Sequence, residues 1–472
     1  MPNDSLAVCH ACLAVGWIRR HTKSSLVPRD RPRLSARVVL LLVLFIGLSL
    51  WPVSGQAQDP DPLAPPALPP ESEPVLPPVK TIQELIRQRL FEEPTLLPPS
   101  FIDASYRALE QWKKDHHIPI TIGAHNWFHL NNGGPHATGY GIPGLNGTYF
   151  YYLLADPAFY AGPLADKAGI HVEARFRDGN TPFRAYFPAT NAYFYEAYGW
   201  LQTPFGRLKG GAVVRRFGID WDGSWWGNVQ YFDGLKLNPD LGVSLEDTHD
   251  FRNGLKVDRF VQFFVKDYNV SGSIVGANPE SVVGSRQVNT LMARVVPTWS
   301  FRDHSAVALG LSGYVGEIRN DPGIYVIGQP VLRQTGTAGS PAPTGGKESV
   351  GAWAVDLSYF NGGWRVFGEF DQLYGTLSPS RYVSGGPSNR TADVLVGFNY
   401  KRGPITYTFS YSAGFDSNPS GTQRLWVPGG VVALTSNVDM YVNYVFWQVR
   451  QHGMSQFVTF ENGVQSVFVW RY

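Results

Sequence analysis

The closing stretch from Gly463 to Tyr472, GVQSVFVWRY, constrains this chain more than any other segment. Strand side chains alternate with period two, so Phe468, Trp470 and Tyr472 share one face. A water-soluble sheet ending on such an edge would offer it to any passing strand and aggregate. A closed barrel removes the hazard, because the last strand pairs with the first and the apolar face meets lipid.

An export signal is consistent with that reading. Arg29, Arg31, Arg33 and Arg37 precede an apolar run from Val38 to Leu50, and small residues Gly55 and Ala57 follow. A basic flank, a short apolar core and a small-x-small site describe a secretory signal peptide over 1–57, cut after Ala57. The rival, an uncleaved anchor, suffers from length, since a spanning helix needs about 20 apolar residues. Cys9 and Cys12 both lie upstream of the cut, so the mature chain has no cysteine for a disulfide or a metal.

Composition fits a barrel. Mean hydropathy is −0.15 and no second long apolar run exists, which excludes spanning helices from the mature chain. Alternating lipid-facing and lumen-facing residues average to such a neutral value. A net charge of +2 leaves no electrostatic footprint for nucleic acid.

Residues 58–80 are rich in proline and form an extended linker. Residues 81–117 follow as a short helical segment for the periplasm or the barrel mouth. Thr81 and Glu84 make a capping box, and a second helix is expected from about Ala104 to Lys114. From 118 to 472 the pattern is strand and turn. Ile405, Tyr407, Phe409 and Tyr411 alternate with Thr406, Thr408, Ser410 and Ser412; Val355, Leu357 and Tyr359 lead through a Gly-rich turn into Trp364 and Val366. Short connections at 203–206, 301–304, 361–363 and 401–404 interleave with long loops, expected at 131–146, 216–254, 319–349, 376–389 and 413–425. The fold class is thus all-β: a transmembrane antiparallel barrel of about 16 strands, with 14 or 18 allowed.

If the apolar faces meet lipid, the opposite faces line a lumen. Glu173, Arg175, Arg177, Arg207, Lys209, Arg215, Arg365, Glu369 and Asp371 fall there. So many charges call for water, since a dry interior would carry a severe desolvation penalty. Clustered arginines would favour anions; an ordinary mixed-charge wall without strong preference is the alternative. The segment after the fifth strand carries Asp220, Asp222, Trp225, Trp226, Asp233 and Lys236. Folded inward, its tryptophans would stack on sugar rings and its charges bind hydroxyls. Alternatively these aromatics belong to a strand and an interfacial girdle. His125 and His129 sit four apart on one strand, about 13 Å, too far to chelate easily. No nucleophile, phosphate loop or metal-ligand spacing stands out.

The C-terminal ending and the strand pattern over about 118–472 resemble the Gram-negative outer-membrane porins. The Thr203-Pro-Phe-Gly206, Gly210-Gly211 and Arg216-Phe-Gly218 region is similar to parts of the phosphate-selective and carbohydrate-selective porins. The resemblance implies passive diffusion of small hydrophilic solutes, no cofactor, a homotrimer, and an inward fold for the segment after strand five. It also implies an outer-membrane location, with the barrel assembly machinery reading Phe468, Trp470 and Tyr472. Two other readings stay open: a barrel hydrolase, and a surface β-sandwich that binds glycans.

Overall fold

A computed structural model describes residues 81–86, 95–97, 101–131, 144–155, 157, 163–177, 192–224, 228–229, 239–251, 254–266, 285–320, 347–374, 390–416, 421–451 and 456–471. Residues 1–80, where the signal peptide and the proline-rich linker are expected, lie outside them.

Two helices precede the sheet: α1 (Ile82–Ile86) and α2 (Phe101–Asp115). The strands begin with β1 (Ile120–Asn131), β2 (Gly144–Ala155), β3 (Ala168–Arg177), β4 (Ala192–Thr203) and β5 (Gly206–Val214). They continue with β6 (Pro239–Phe251), β7 (Leu255–Lys266), β8 (Ser285–Ser300), β9 (Ala306–Asn320) and β10 (Lys347–Asn361). The last six are β11 (Trp364–Tyr374), β12 (Arg390–Arg402), β13 (Ile405–Asp416), β14 (Gly421–Thr435), β15 (Val438–Gln451) and β16 (Val458–Arg471). Each pairs with its sequence neighbours, and β1 pairs antiparallel with β16, so the sheet closes as a barrel. Closure satisfies the edge amides that no water would reach inside a bilayer.

The alternation read from the sequence sets which side faces out. Leu357, Tyr359, Val366, Val396 and Tyr407 are exposed on the outside. Between them Asp356, Ser358, Arg365, Thr406, Thr408, Ser410 and Ser412 are buried on the inside. Register stacks the outer aromatics into rows. Tyr400 lies opposite Tyr407 and Phe398 opposite Phe409, with ring centroids 6.4 and 5.8 Å apart. Trp364 continues the first row, 4.2 Å from Tyr400. Each cross-strand aromatic pair adds roughly 0.2–1 kcal/mol. Further from the short turns, near the middle of the strands, a second row forms from Tyr411, Trp426 and Phe446. Phe468 and Trp470 sit on β16 opposite Asn126 and Ala124, half-buried, between the inward Val467 and Val469. Tyr472 lies outside the described residues.

Short connections gather on one rim. β4 to β5, β10 to β11 and β12 to β13 turn within two residues, and α2 enters β1 at the same end. The second helix begins earlier than expected, at Phe101. It stops where His117 takes a φ of 54° and the Ile118 amide donates to the Lys113 carbonyl, a left-handed helix ending. Lys113 then donates to the carbonyl of Ile120, aiming the chain into β1.

Two loop expectations are corrected. Residues 239–251 are strand β6, because Leu241, Val243 and Leu245 alternate and three apolar residues suffice to face the outside. The polar Glu246 to Asp250 stretch then finishes the strand near the short-turn rim. Residues 413–425 are mostly the end of β13 and the start of β14.

Candidate solute pathway

The chain between β5 and β6 turns into the barrel. Its neck is held by Arg215, which donates to Asp240 Oδ2 from Nε at 2.8 Å and from Nη2 at 2.5 Å. Both side chains are about 1% exposed, so pairing rather than water satisfies them. From there the segment lies across the inner wall. The Gly218 amide donates to Ser312 Oγ on β9 at 3.2 Å, and the Ile219 amide to Glu369 Oε2 on β11 at 2.5 Å. Arg365 Nη1 on β11 donates to the Trp221 carbonyl at 2.8 Å, and the Val229 amide donates to Ser412 Oγ on β13 at 3.0 Å.

Apolar contacts complete the seat. Phe217 packs edge-on to Tyr314, in a cluster with Val213, Phe264, Met292, Ala352 and Ala354. Ile219 packs on Phe367 and Leu395. Gly218 has a φ of +66°, and a Cβ there would run into the Glu369 carboxylate, so both backbone and space demand glycine. Asp222 shapes the bend beyond, accepting from the amide and hydroxyl of Ser224 at 3.0 Å each.

The sequence-selected wall residues divide into groups. Arg365, Glu369 and Asp371 are on the inner wall, but at 0%, 5% and 0% exposure they are sealed off from solvent. The inward segment itself covers the first two. Asp220 and Asp222 lie on that segment, whereas Trp225, Trp226, Asp233 and Lys236 lie outside the described residues. Arg175 and Arg177 are in β3 by backbone pairing, and nothing of their side chains is described.

Opposite the segment's seat, a polar row runs across β3 to β6. His171 stacks on Tyr198 with centroids 4.7 Å apart and approaches Glu196 at 3.7 Å. Lys209 lies 5.0 Å over the same tyrosine ring and donates to Glu246 at 2.7 Å; Ser244 donates to Glu246 as well. Arg207 covers the Trp200 ring at 4.5 Å. Arg216 and Asp220, 3.6 Å apart, hold the segment's own charges, with 24% and 29% of their side chains exposed. Glu173 is half-buried on β3, opposite Glu196 in the pairing with β4.

Among the described side chains, Arg207, Lys209 and Arg215 each have a separate partner. One expectation changes: charge number alone does not demand water, because several charges are fully buried as pairs. Arg294 on β8 donates to both oxygens of Asp356 on β10, at 2.6 and 3.2 Å, and neither side chain is more than 5% exposed. Arg294, Asp356, Asp240, Glu246 and Asn399 escaped the sequence reading. Their inward parity was the available signal; which partner each would find depends on register.

Helix α1 sits at the short-turn mouth. Leu85 is buried against Ala306 and Phe360. Gln83 Nε2 donates to Asp220 Oδ2 at 3.0 Å, and Glu84 lies 3.4 Å from Lys256 on β7. One short helix therefore touches both wall and inward segment. Among the described residues no cluster of three or more His, Cys, Asp or Glu could hold a metal ion.

No protein-family model matches the sequence, and no curated protein matches it. Solved structures do. OprB of Pseudomonas putida, at high pH, is 12% identical with a TM-score of 0.50, covering 78% of this chain and 97% of its own. This chain has the porin fold. OmpF of Salmonella typhi, in complex with daunomycin, is 11% identical with a TM-score of 0.46, covering 75% of this chain and 97% of its own. The outer membrane channel DcaP of Acinetobacter baumannii is 12% identical with a TM-score of 0.45, covering 75% and 95%.

Proposed function

We propose that this porin-fold protein is an outer-membrane channel through which small hydrophilic solutes diffuse passively. The observation that carries the reading is the inward segment seated on β9 to β13, facing a partly buried polar row on β3 to β6. A barrel with an apolar outside needs lipid around it. A passage bounded by Lys209, Glu246, His171, Glu196, Arg216 and Asp220 would suit hydrated solutes, since both signs of charge are present along it. The mixed signs favour sugars and weakly charged solutes over a strongly anion-selective pore. Trp225, Trp226, Asp233 and Lys236 belong to the constricting segment in this reading.

The aromatic ending at Phe468, Trp470 and Tyr472 is proposed as the address read by the barrel assembly machinery, with homotrimers as the assembled form. No enzymatic role is proposed. Purified protein in planar bilayers tests the channel: ohmic conductance steps are expected, and silence from correctly folded barrels rejects it. Reversal potentials in salt gradients are expected near zero, and a strong anion bias would reject the mixed-wall reading.

A further inference from the structure

Near the long-loop end of β14 and β15, two arginines converge on one aromatic ring outside the barrel. The guanidinium of Arg424 lies 3.9 Å from the Phe457 centroid, and that of Arg450 lies 5.2 Å from it. Arg450 also donates to Thr422 Oγ1 at 3.3 Å. Alternation places both on the outer face. Gln423, Leu425 and Val427 are buried inward, so Arg424 shares the outer side with Trp426; Val445 and Trp447 are inward, so Arg450 shares it with Phe446. Trp426 and Phe446 belong to the Tyr411–Trp426–Phe446 aromatic row. Each arginine stands a few residues beyond that row, toward the strand ends. Arg424 stands 11 residues from the short-turn end of β14 and Arg450 12 from that of β15. At about 3.3 Å per residue and a tilt of about 45°, both stand roughly 25 Å above the short-turn rim, the height of the apolar band, so the pair lies at headgroup level.

Two like charges drawn to one ring repel each other, and no carboxylate pairs with either among the described residues. Cation–π contact with Phe457 contributes about 0.5–1 kcal/mol at an exposed site. A phosphoryl group placed between the guanidinium planes would offset the repulsion and accept bidentate hydrogen bonds from each fork.

We infer that Arg424, Arg450 and Phe457 form an outward-facing site for a phosphate-bearing lipid headgroup of the outer leaflet. This rests on the outer-membrane reading above, and is separate from conduction. Such a lipid would brace the β14–β15–β16 rim from outside.

Native mass spectrometry of the mature full-length protein, released from nanodiscs containing bisphosphorylated lipid A, tests the site. Heat-modifiable gel migration first establishes that each sample is a folded barrel; failure to form an inserted barrel at all counts against the outer-membrane reading instead. The expected result is a retained lipid A molecule per protomer, with retention about tenfold weaker in R424Q/R450Q. R424K/R450K, which keeps the charge and loses the fork, is expected between the two. Fully dephosphorylated lipid A should fall to the level of the double Gln variant, and millimolar inorganic phosphate should not compete. Equal retention by wild type and double variant, or equal retention of dephosphorylated lipid, overturns the proposal. Displacement by inorganic phosphate overturns the lipid assignment in favour of a soluble anion.

Discussion

Arg365 on β11 reaches the carbonyl of Trp221 at 2.8 Å and joins the barrel wall to the segment folded inside it. The same guanidinium touches Asn399 and Ser358 and lies 4.5 Å from the Phe367 ring. It is the point where wall, inward segment and inner packing meet. A buried guanidinium with its donors spread over three elements is costly to replace.

Arg365→Ala is expected to free the Trp221 end of the segment. Single-channel recordings should show larger or noisier open-channel current than wild type, with heat-modifiable migration retained. Arg365→Lys supplies one charge without the fork and should lie between. Unchanged conductance and noise in the Ala variant would remove the tethering role.

The Arg294–Asp356 pair tests how the interior tolerates charge. Removing one partner leaves a buried ion unpaired, at a cost of about 3–5 kcal/mol. D356A should therefore lower the temperature at which the folded band is lost on gels. R294M/D356L replaces both charges with apolar groups and should recover most of that loss. Equal destabilisation by single and double variants would count against this account.

Leu357 is half exposed on the outer face of β10, opposite Leu309 and Gly368. With lipid around the barrel, Leu357→Arg should destabilise insertion by about 1–3 kcal/mol, below the midplane cost because Leu357 lies four residues from the end of β10. Measured as equilibrium unfolding in liposomes, a neutral effect would mean that Leu357 does not face hydrocarbon.

The capping box at α1 gives a pH dependence. The backbone amide of Thr81 donates to Glu84, and this hydrogen bond holds the Glu84 carboxyl below its ordinary range against the opposing effect of burial. A lowered folded value means that the stabilisation is present above the unfolded value and lost as pH falls through the folded one. Hydrogen exchange at 81–86 should thus show more protection in wild type than in E84Q at neutral pH. The two should converge in acid, below the ordinary carboxylate range. A constant difference across pH would reject the carboxylate's role.

Some features were legible because they depend on local order alone. The hydroxyl-versus-aromatic alternation of 405–412 tells which residues share a face wherever the strand goes. The Thr81/Glu84 spacing places a helix start, and Gly-rich turns place hairpins. β6 was lost because only Leu241, Val243 and Leu245 carry its outer face amid Asp, Glu and His. The buried pairs were lost for another reason. Arg294 and Asp356 lie on strands that are not paired with each other, and only barrel curvature and the β8–β9–β10 register bring them together.

By itself the sequence determined an all-β chain with one apolar and one polar strand face, because period-two alternation survives any arrangement of the strands. It also marked the segment after β5 as unusual. The tertiary structure alone decided that this segment sits against β9, β11 and β13, that Arg365 and Glu369 are sealed beneath it, and that Lys209 meets Glu246 on the neighbouring strand. Those outcomes depend on closure and register, which bring residues more than a hundred positions apart within hydrogen-bond reach.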